Sequence, residues 1–361
     1  MPPPDSTASA PAIALPAPAS GRWIRDLVFD WTFLLGSTVL VFLVAALFSV
    51  KPGGTNLLQV GGASEALNLA IPVLLGGPHI FFSLVRTYMD VDFKREHRVL
   101  LRMSPHVVAF TMLYLTVWHH EALAVNIVLY SAVFHGAAQL GHIALRYRLK
   151  AGRGPYDAAG IALLVATFAG PLFFVSYAVQ SREFIFVGQP IFKALAPSWL
   201  LWLSGTAAVV AGAYWLADTA NHVLAGGRVN WREGTVLLST QVAFWFLANL
   251  DQLDVTFQAY NAWHSLQAMG LMWLAMNAKW RGGKVRGPKQ TEFCRDGAFG
   301  HTFLYGVAFS LFVGLMVLAF TNFQFANLPA SPFYFIFAVT VLLNHHVIDY
   351  WLFFGKRAFD Y

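Results

Sequence analysis

Apolar runs about 20 residues long recur along nearly the whole chain, and this recurrence decides the fold class before any motif is considered. A helix rises about 1.5 Å per residue, so twenty residues cross the roughly 30 Å of bilayer hydrocarbon. Only 12% of the 361 residues are charged, about half the share in an ordinary soluble domain. Hydropathy predicts ten spans, at about 31–50, 67–88, 104–118, 122–145, 157–179, 198–220, 235–250, 258–277, 299–321 and 332–354. The expected fold is an all-α polytopic membrane bundle of about ten helices, a single transmembrane domain over 22–361. Residues 1–21 are rich in Pro and Ala and lack a basic segment followed by an apolar one, so they predict a disordered tail rather than a signal peptide. The segment 183–197, apolar but broken by Gly188, Pro190 and Pro197, predicts an interfacial or re-entrant piece.

Charge placement orients the bundle. With the N-terminus inside, all but Lys51, Arg182 and Lys193 of the 24 basic residues fall in inner segments. This is the imbalance that the positive-inside rule demands, and it places both termini in the cytoplasm of a bacterial-type inner membrane. The net charge of +6 therefore reflects loops at a membrane surface and gives no reason to expect nucleic acid. The lone Cys294 excludes an intramolecular disulfide.

Against this background the histidines stand out. His79 lies in the second span, His135 and His142 in the fourth, His264 in the eighth, and His345, His346 and Asp349 in the tenth. All are even-numbered spans, which run in one direction. Counting back to the first basic residue of each inner end puts His79 ~10 Å deep, His135 and His345 ~16 Å, and His264 ~22 Å. Helical spacing sets His135, Gln139 and His142 on one face, and His79, Ser83 and Arg86 on another. Ionisable groups at such depth face a bundle interior or a cavity. Neutral imidazole is the commonest metal ligand. Imidazole with carboxylate and open positions suits non-haem iron; imidazole alone also suits zinc and copper. Manganese is a further candidate. Asp349, Gln139, Gln267 and Asn344 are candidates to fix the ligands' tautomers through hydrogen bonds. Adjacent residues on a helix diverge by about 100°, so only one of His345 and His346 can face a shared site.

Blander roles compete for several of these residues. A single intramembrane histidine is commonly a strut between helices; it is the matched depth and direction of the set that favours a metal. His97 reads as a solvated loop residue, and His119 and His120 as rim residues. Asp218 and His222 form an i, i+4 pair usable for a second metal, but at the inner boundary. Trp118, Trp199, Trp202, Trp231, Trp280 and Trp351 read as interfacial belts. Gly76, Gly77 and Pro78 are expected to loosen the second span beside His79. The chain contains no P-loop, no G-x-S-x-G, no HExxH and none of the HxxxH and HxxHH boxes of membrane desaturases. It also has no clear inverted repeat of the transporter kind.

The motifs GGPHIFFS, FHGAAQLGH, AWHSLQ and HHVID resemble those of the Blh/Brp-type beta-carotene dioxygenases of microbes. That family combines a Pro-His near an early helix, a His-Gly helix, a His-Ser helix, and a late His followed three residues on by Asp. The likeness covers about a tenth of the chain, and the first motif lacks the Gly and Asp that follow its histidine in the family. It implies iron ligation by His79, His135, His264 and His346. His142, His345, Asp349, Gln139, Gln267, Asp218 and His222 are left as outer hydrogen-bonding partners or a second metal site. The leading expectation is a metal-dependent membrane oxygenase acting on a lipophilic molecule such as an isoprenoid or acyl chain, supplied by an electron-donor protein. The alternatives are a haem- or chlorin-binding protein, for which GAAQLGH offers small residues to a flat macrocycle, and a proton-coupled transporter using His and Asp as a relay.

Overall fold

The computed structural model describes residues 23–48, 67, 69–186, 189–322 and 331–354. The N-terminal 1–21 and the basic Lys356 and Arg357 lie outside these residues. The helices in chain order are α1 (Leu27–Phe48), α2 (Leu69–Thr87), the short α3 (Val91–Glu96), α4 (Arg98–Val117), α5 (Glu121–Lys150), α6 (Ala158–Ser181), α7 (Ser198–Leu224), α8 (Trp231–Ala248), α9 (Leu253–Arg281), the short α10 (Pro288–Cys294), α11 (Phe299–Asn322) and α12 (Ser331–Phe354). Each of the ten long helices overlaps one predicted segment. Seven of them (α1, α2, α4, α5, α6, α7 and, over Phe299–Met316, α11) are long and apolar enough to cross a membrane among the described residues. The polar side chains Gln258, Asn261, His264, Ser265, Gln267 and Asn277 make α9 less hydrophobic, and it runs through the core rather than along lipid.

α5 and α9 form the centre. α5 packs on α6, α8 and α12, while α9 packs on α1 and α2. The two central helices are joined by Gln139, whose Nε2 donates to the His264 carbonyl at 3.1 Å and to Gln267 Oε1 at 3.2 Å. Gln267 in turn donates to Leu34 O of α1 at 2.8 Å. The Nε2 groups of both glutamines are thereby paired across a helix interface, as an apolar interior favours, while Gln139 Oε1 is left without a partner. The six tryptophans expected at interfaces are all on the outside.

Two expectations are refined. The second span is loosened where the sequence expects it, by a π turn at Pro72–Gly76 that ends on the first glycine of the run, and the rest of the run sits at the close approach of two helices. A Cβ on Gly77 would fall 1.5 Å from Ser310 Oγ, and one on Gly306 would fall 2.5 Å from Pro78 Cα. The glycines let α2 and α11 touch, which fixes the rotation of α2 and so the aim of His79. The segment 183–197 folds back against the bundle end opposite the basic one. Ile185–Phe186 pairs antiparallel with Gln189–Pro190, a two-residue exception to the all-α expectation. Asn126 holds it, donating to Pro190 O and accepting from Phe192 N.

At the basic end, Asp90 ties α2 to α9. Its buried carboxylate accepts from Arg86 at 2.9 Å and Lys279 at 2.6 Å, and caps α3 through the amides of Asp92 and Phe93. Burial pushes the Asp90 pKa up, but the Arg86 charge and the Lys279 hydrogen bond outweigh it and hold the group below the usual carboxylate value. A group depressed on folding stabilises above its unfolded pKa and loses that stabilisation as pH falls through its folded pKa. Asp90→Asn is expected to cost about 3 kcal/mol at neutral pH, as the loss of one member of a buried pair does. The gap in apparent melting temperature between variant and native protein should then close as pH falls below about 4. A gap that is independent of pH would show that the carboxylate's charge is not what ties the helices.

Candidate metal centre

Four helices each bring one histidine to a single buried point: His79 from α2, His135 from α5, His264 from α9 and His345 from α12. One ring nitrogen from each can be chosen so that all four lie within 4.8 Å of one another. The rings meet mostly edge to face, with centroids 4.4 Å apart for His79 and His345, 4.6 Å for His135 and His264, and 4.8 Å for His79 and His264.

The hydrogen-bond inventory shows which nitrogens are spare. His79 Nδ1 faces Ser265 Oγ at 3.3 Å, and its Nε2 has no partner. Neither nitrogen of His135 or His345 makes a hydrogen bond, and His264 Nε2 makes none. Buried polar atoms are nearly always paired, so this many orphans on four histidines that meet at one point mark a place for a ligand. A metal–imidazole bond is about 2.0–2.1 Å, which sets nitrogens on opposite sides of an ion about 4.2 Å apart. The group reaches that span by closing about half an ångström around a six-coordinate ion, and would close by about 1.4 Å around a tetrahedral one. The donor set, four imidazoles in a dry site, fits a transition-metal ion.

Asp349 completes the polar group. Its carboxylate lies 3.5 Å from His345 Nδ1 and 3.8 Å from His79 Nε2, and accepts from Ser83 Oγ at 3.2 Å. It thus stands behind His345, where a carboxylate orients an imidazole that binds metal through its other nitrogen, and beside the open Nε2 of His79.

The other candidates sit elsewhere. His346, implied as the fourth ligand, stacks on His135 with centroids 4.3 Å apart, and its Nδ1 meets Ser131 Oγ at 3.0 Å; the compact group takes His345 in its place. His142 turns its Nδ1 to Phe353 O at 2.9 Å, a tie between α5 and α12 one turn or more from the group. Gln139 and Gln267 bond each other and backbone carbonyls rather than imidazole nitrogens. Asp218 is engaged by Arg153 and approached by Arg148 at 3.9 Å, and the His222 ring packs against Gly227. That pair is part of the basic end and does not join the histidine group. His97 is not purely a solvated loop residue, since its ring lies 4.4 Å from Phe93. His119 is an exposed rim residue, 3.7 Å from Glu121.

Two neighbours of the group carry weaker sequence signals. Tyr260 stacks parallel to His264 at 5.5 Å and donates to Ala132 O at 2.7 Å. Gly136 makes room for it, because a Cβ there would come within 2.0 Å of the phenol oxygen. Ser131 supports His346. Both Tyr260 and Ser131 lie one turn before a histidine, at i−4, and only that spacing points to them. Tyr260 also closes the inner end of a recess lined by apolar residues including Leu129, Val179, Phe244 and Phe257.

No protein-family model matches this chain, and neither the curated proteins nor the solved structures give a match.

Proposed function

We propose that this chain is an integral-membrane metalloenzyme that uses non-haem iron, held by His79, His135, His264 and His345, to oxidise a lipophilic substrate. The observation that carries this reading is the convergence of four buried histidines, each with at least one nitrogen free of hydrogen bonds, that can offer one nitrogen apiece within 4.8 Å of one another. A bound ferrous ion would supply the capacity to activate oxygen. The protein's own residues do the rest. Four separate helices fix the imidazoles, Ser265 sets one tautomer of His79, Asp349 backs His345 and stands beside the open Nε2 of His79, and the surrounding apolar packing keeps water away. The resemblance to the Blh/Brp-type oxygenases supports the same chemistry, with the fourth ligand moved by one residue. Ten spans, both termini in the cytoplasm of a bacterial-type inner membrane, and an electron-donor protein as partner complete the proposal.

The haem or chlorin alternative has less support. The four rings already touch, which leaves no flat slot between them. The small residues Gly136 and Gly141 are filled by Tyr260 and by Leu164, whose Cδ1 would lie 2.6 Å from a Cβ on Gly141. The transporter alternative predicts pH-dependent flux in liposomes with no bound metal.

Metal analysis of detergent-purified protein, read together with its absorption spectrum, tests the proposal. The expected result is about one iron per chain and no Soret or chlorin band. Absence of any stoichiometric transition metal would sink the reading, and zinc alone would remove its oxidative part.

A further inference from the structure

A cleft of about 290 Å³ opens on the side of the bundle between α2, α4, α11 and α12. It exists because α2 pairs with α11 and α12 pairs with α4, while α2 and α12 touch only briefly. Its walls are mostly hydrocarbon, from Ile80, Leu84, Phe309 and Val341, and His345 and Asp349 also line it. It therefore joins the metal centre to the flank of the bundle.

The α12 wall carries an anomaly. Thr340 Oγ1 and Asn344 Oδ1 are buried, line the cleft and have no hydrogen-bond partner. A helical threonine ordinarily returns its hydroxyl to the carbonyl one turn back, as Thr87, Thr116, Thr167, Thr240 and Thr302 all do. Thr340 does not. It is spaced i, i+4 with Asn344, so the two side chains are neighbours on one face. Asn344 adjoins His345 in sequence, and Asp349 Oδ1, a turn further on, is also without a hydrogen bond. A pure hydrocarbon in the cleft would leave these groups unsatisfied, which is unfavourable in an apolar setting.

We propose that this cleft binds a lipid-soluble alcohol, a long-chain or isoprenoid molecule whose hydroxyl is held between Thr340 and Asn344, within one turn of His345. A hydroxyl both donates and accepts, so it satisfies Asn344 in either orientation of the amide and Thr340 together. A carbonyl or an ether lacks the donor. The alkyl chain lies along the apolar walls toward lipid. The inference rests on the metalloenzyme reading for its significance, but the binding itself does not need the metal.

The test is scintillation-proximity binding of tritiated hexadecanol to the full chain in phosphatidylcholine nanodiscs, with unlabelled hexadecane as competitor and metal content measured on the same samples. Saturable binding of one hexadecanol per chain is expected, with hexadecane competing at least tenfold more weakly, as two hydrogen bonds imply. Thr340→Val combined with Asn344→Leu should abolish that preference while keeping the metal. Thr340→Ser should retain both, which guards against a fold defect. His345→Ala should lose metal and keep hexadecanol binding. Equal competition by hexadecane, no saturable binding, or a preference that survives the double variant would overturn the proposal, the first outcome identifying an acyl-chain groove. Loss of the metal reading with alcohol preference intact would overturn only the enzyme.

Discussion

His345→Ala is expected to empty the metal centre, whereas His346→Ala should leave it largely loaded. The two residues adjoin in sequence, yet their rings are used differently. Both nitrogens of His345 are free of hydrogen bonds, and one falls in the group with His79, His135 and His264. His346 has Nδ1 engaged by Ser131 and its face against the His135 ring. Its loss removes packing beside one ligand, an outer effect of about 10-fold on affinity; loss of His345 removes a ligand and should exceed about 100-fold. Asp349→Ala belongs between them, since the carboxylate stands behind His345 and beside the open nitrogen of His79. The measurement is metal per chain after dialysis against a weak chelator. Retained metal in His345→Ala with loss in His346→Ala would restore the ligand set that the family resemblance implies and would discard the geometry.

This choice marks how far the sequence could be read. Depth and direction along the chain select His79, His135, His264 and the His345–His346 pair, because apolar runs and basic ends measure position along a helix axis. They do not measure rotation about it. Asp349 is four residues from His345 and three from His346, and both spacings share a helix face, so it could not break the tie. Rotation is set by contacts that only the folded bundle contains, such as the His142–Phe353 tie between α5 and α12. The same limit explains Gln139 and Gln267. Their faces were legible, but they join helix to helix rather than imidazole to amide. Asp218 and His222 had a metal-compatible spacing, but the sequence did not show that Arg153 and Arg148 reach Asp218 from another element. The Gly-Gly-Pro run was visible as a peculiarity of α2; that it makes a contact surface for α11 depended on the glycines of both helices meeting.

Arg148→Leu should destabilise the bundle by about 3–5 kcal/mol without removing the metal from what remains folded. Arg148 is fully buried at the basic end of α5. It donates to Glu233 Oε1 at 3.1 Å, to both oxygens of Asp157 at 2.6 and 2.9 Å, and to Gly154 O at 2.8 Å. Asp157 is half exposed and screened, so its share is small. Glu233 is 1% exposed, and Trp215 and Asn230 also donate to it. Those neutral donors do not replace a cation, so removing Arg148 strands a buried carboxylate. Replacing both partners removes the stranded charge, and Arg148→Leu with Glu233→Leu should recover much of the loss. Arg148 is thirteen residues from His135, ~20 Å along the helix, too far to touch the imidazoles. Apparent melting temperature in detergent and metal per folded chain separate the two effects. Strictly additive losses in the double variant would mean that the pair does not act as a unit, and loss of metal from still-folded Arg148→Leu would show that the basic end and the centre are coupled through α5.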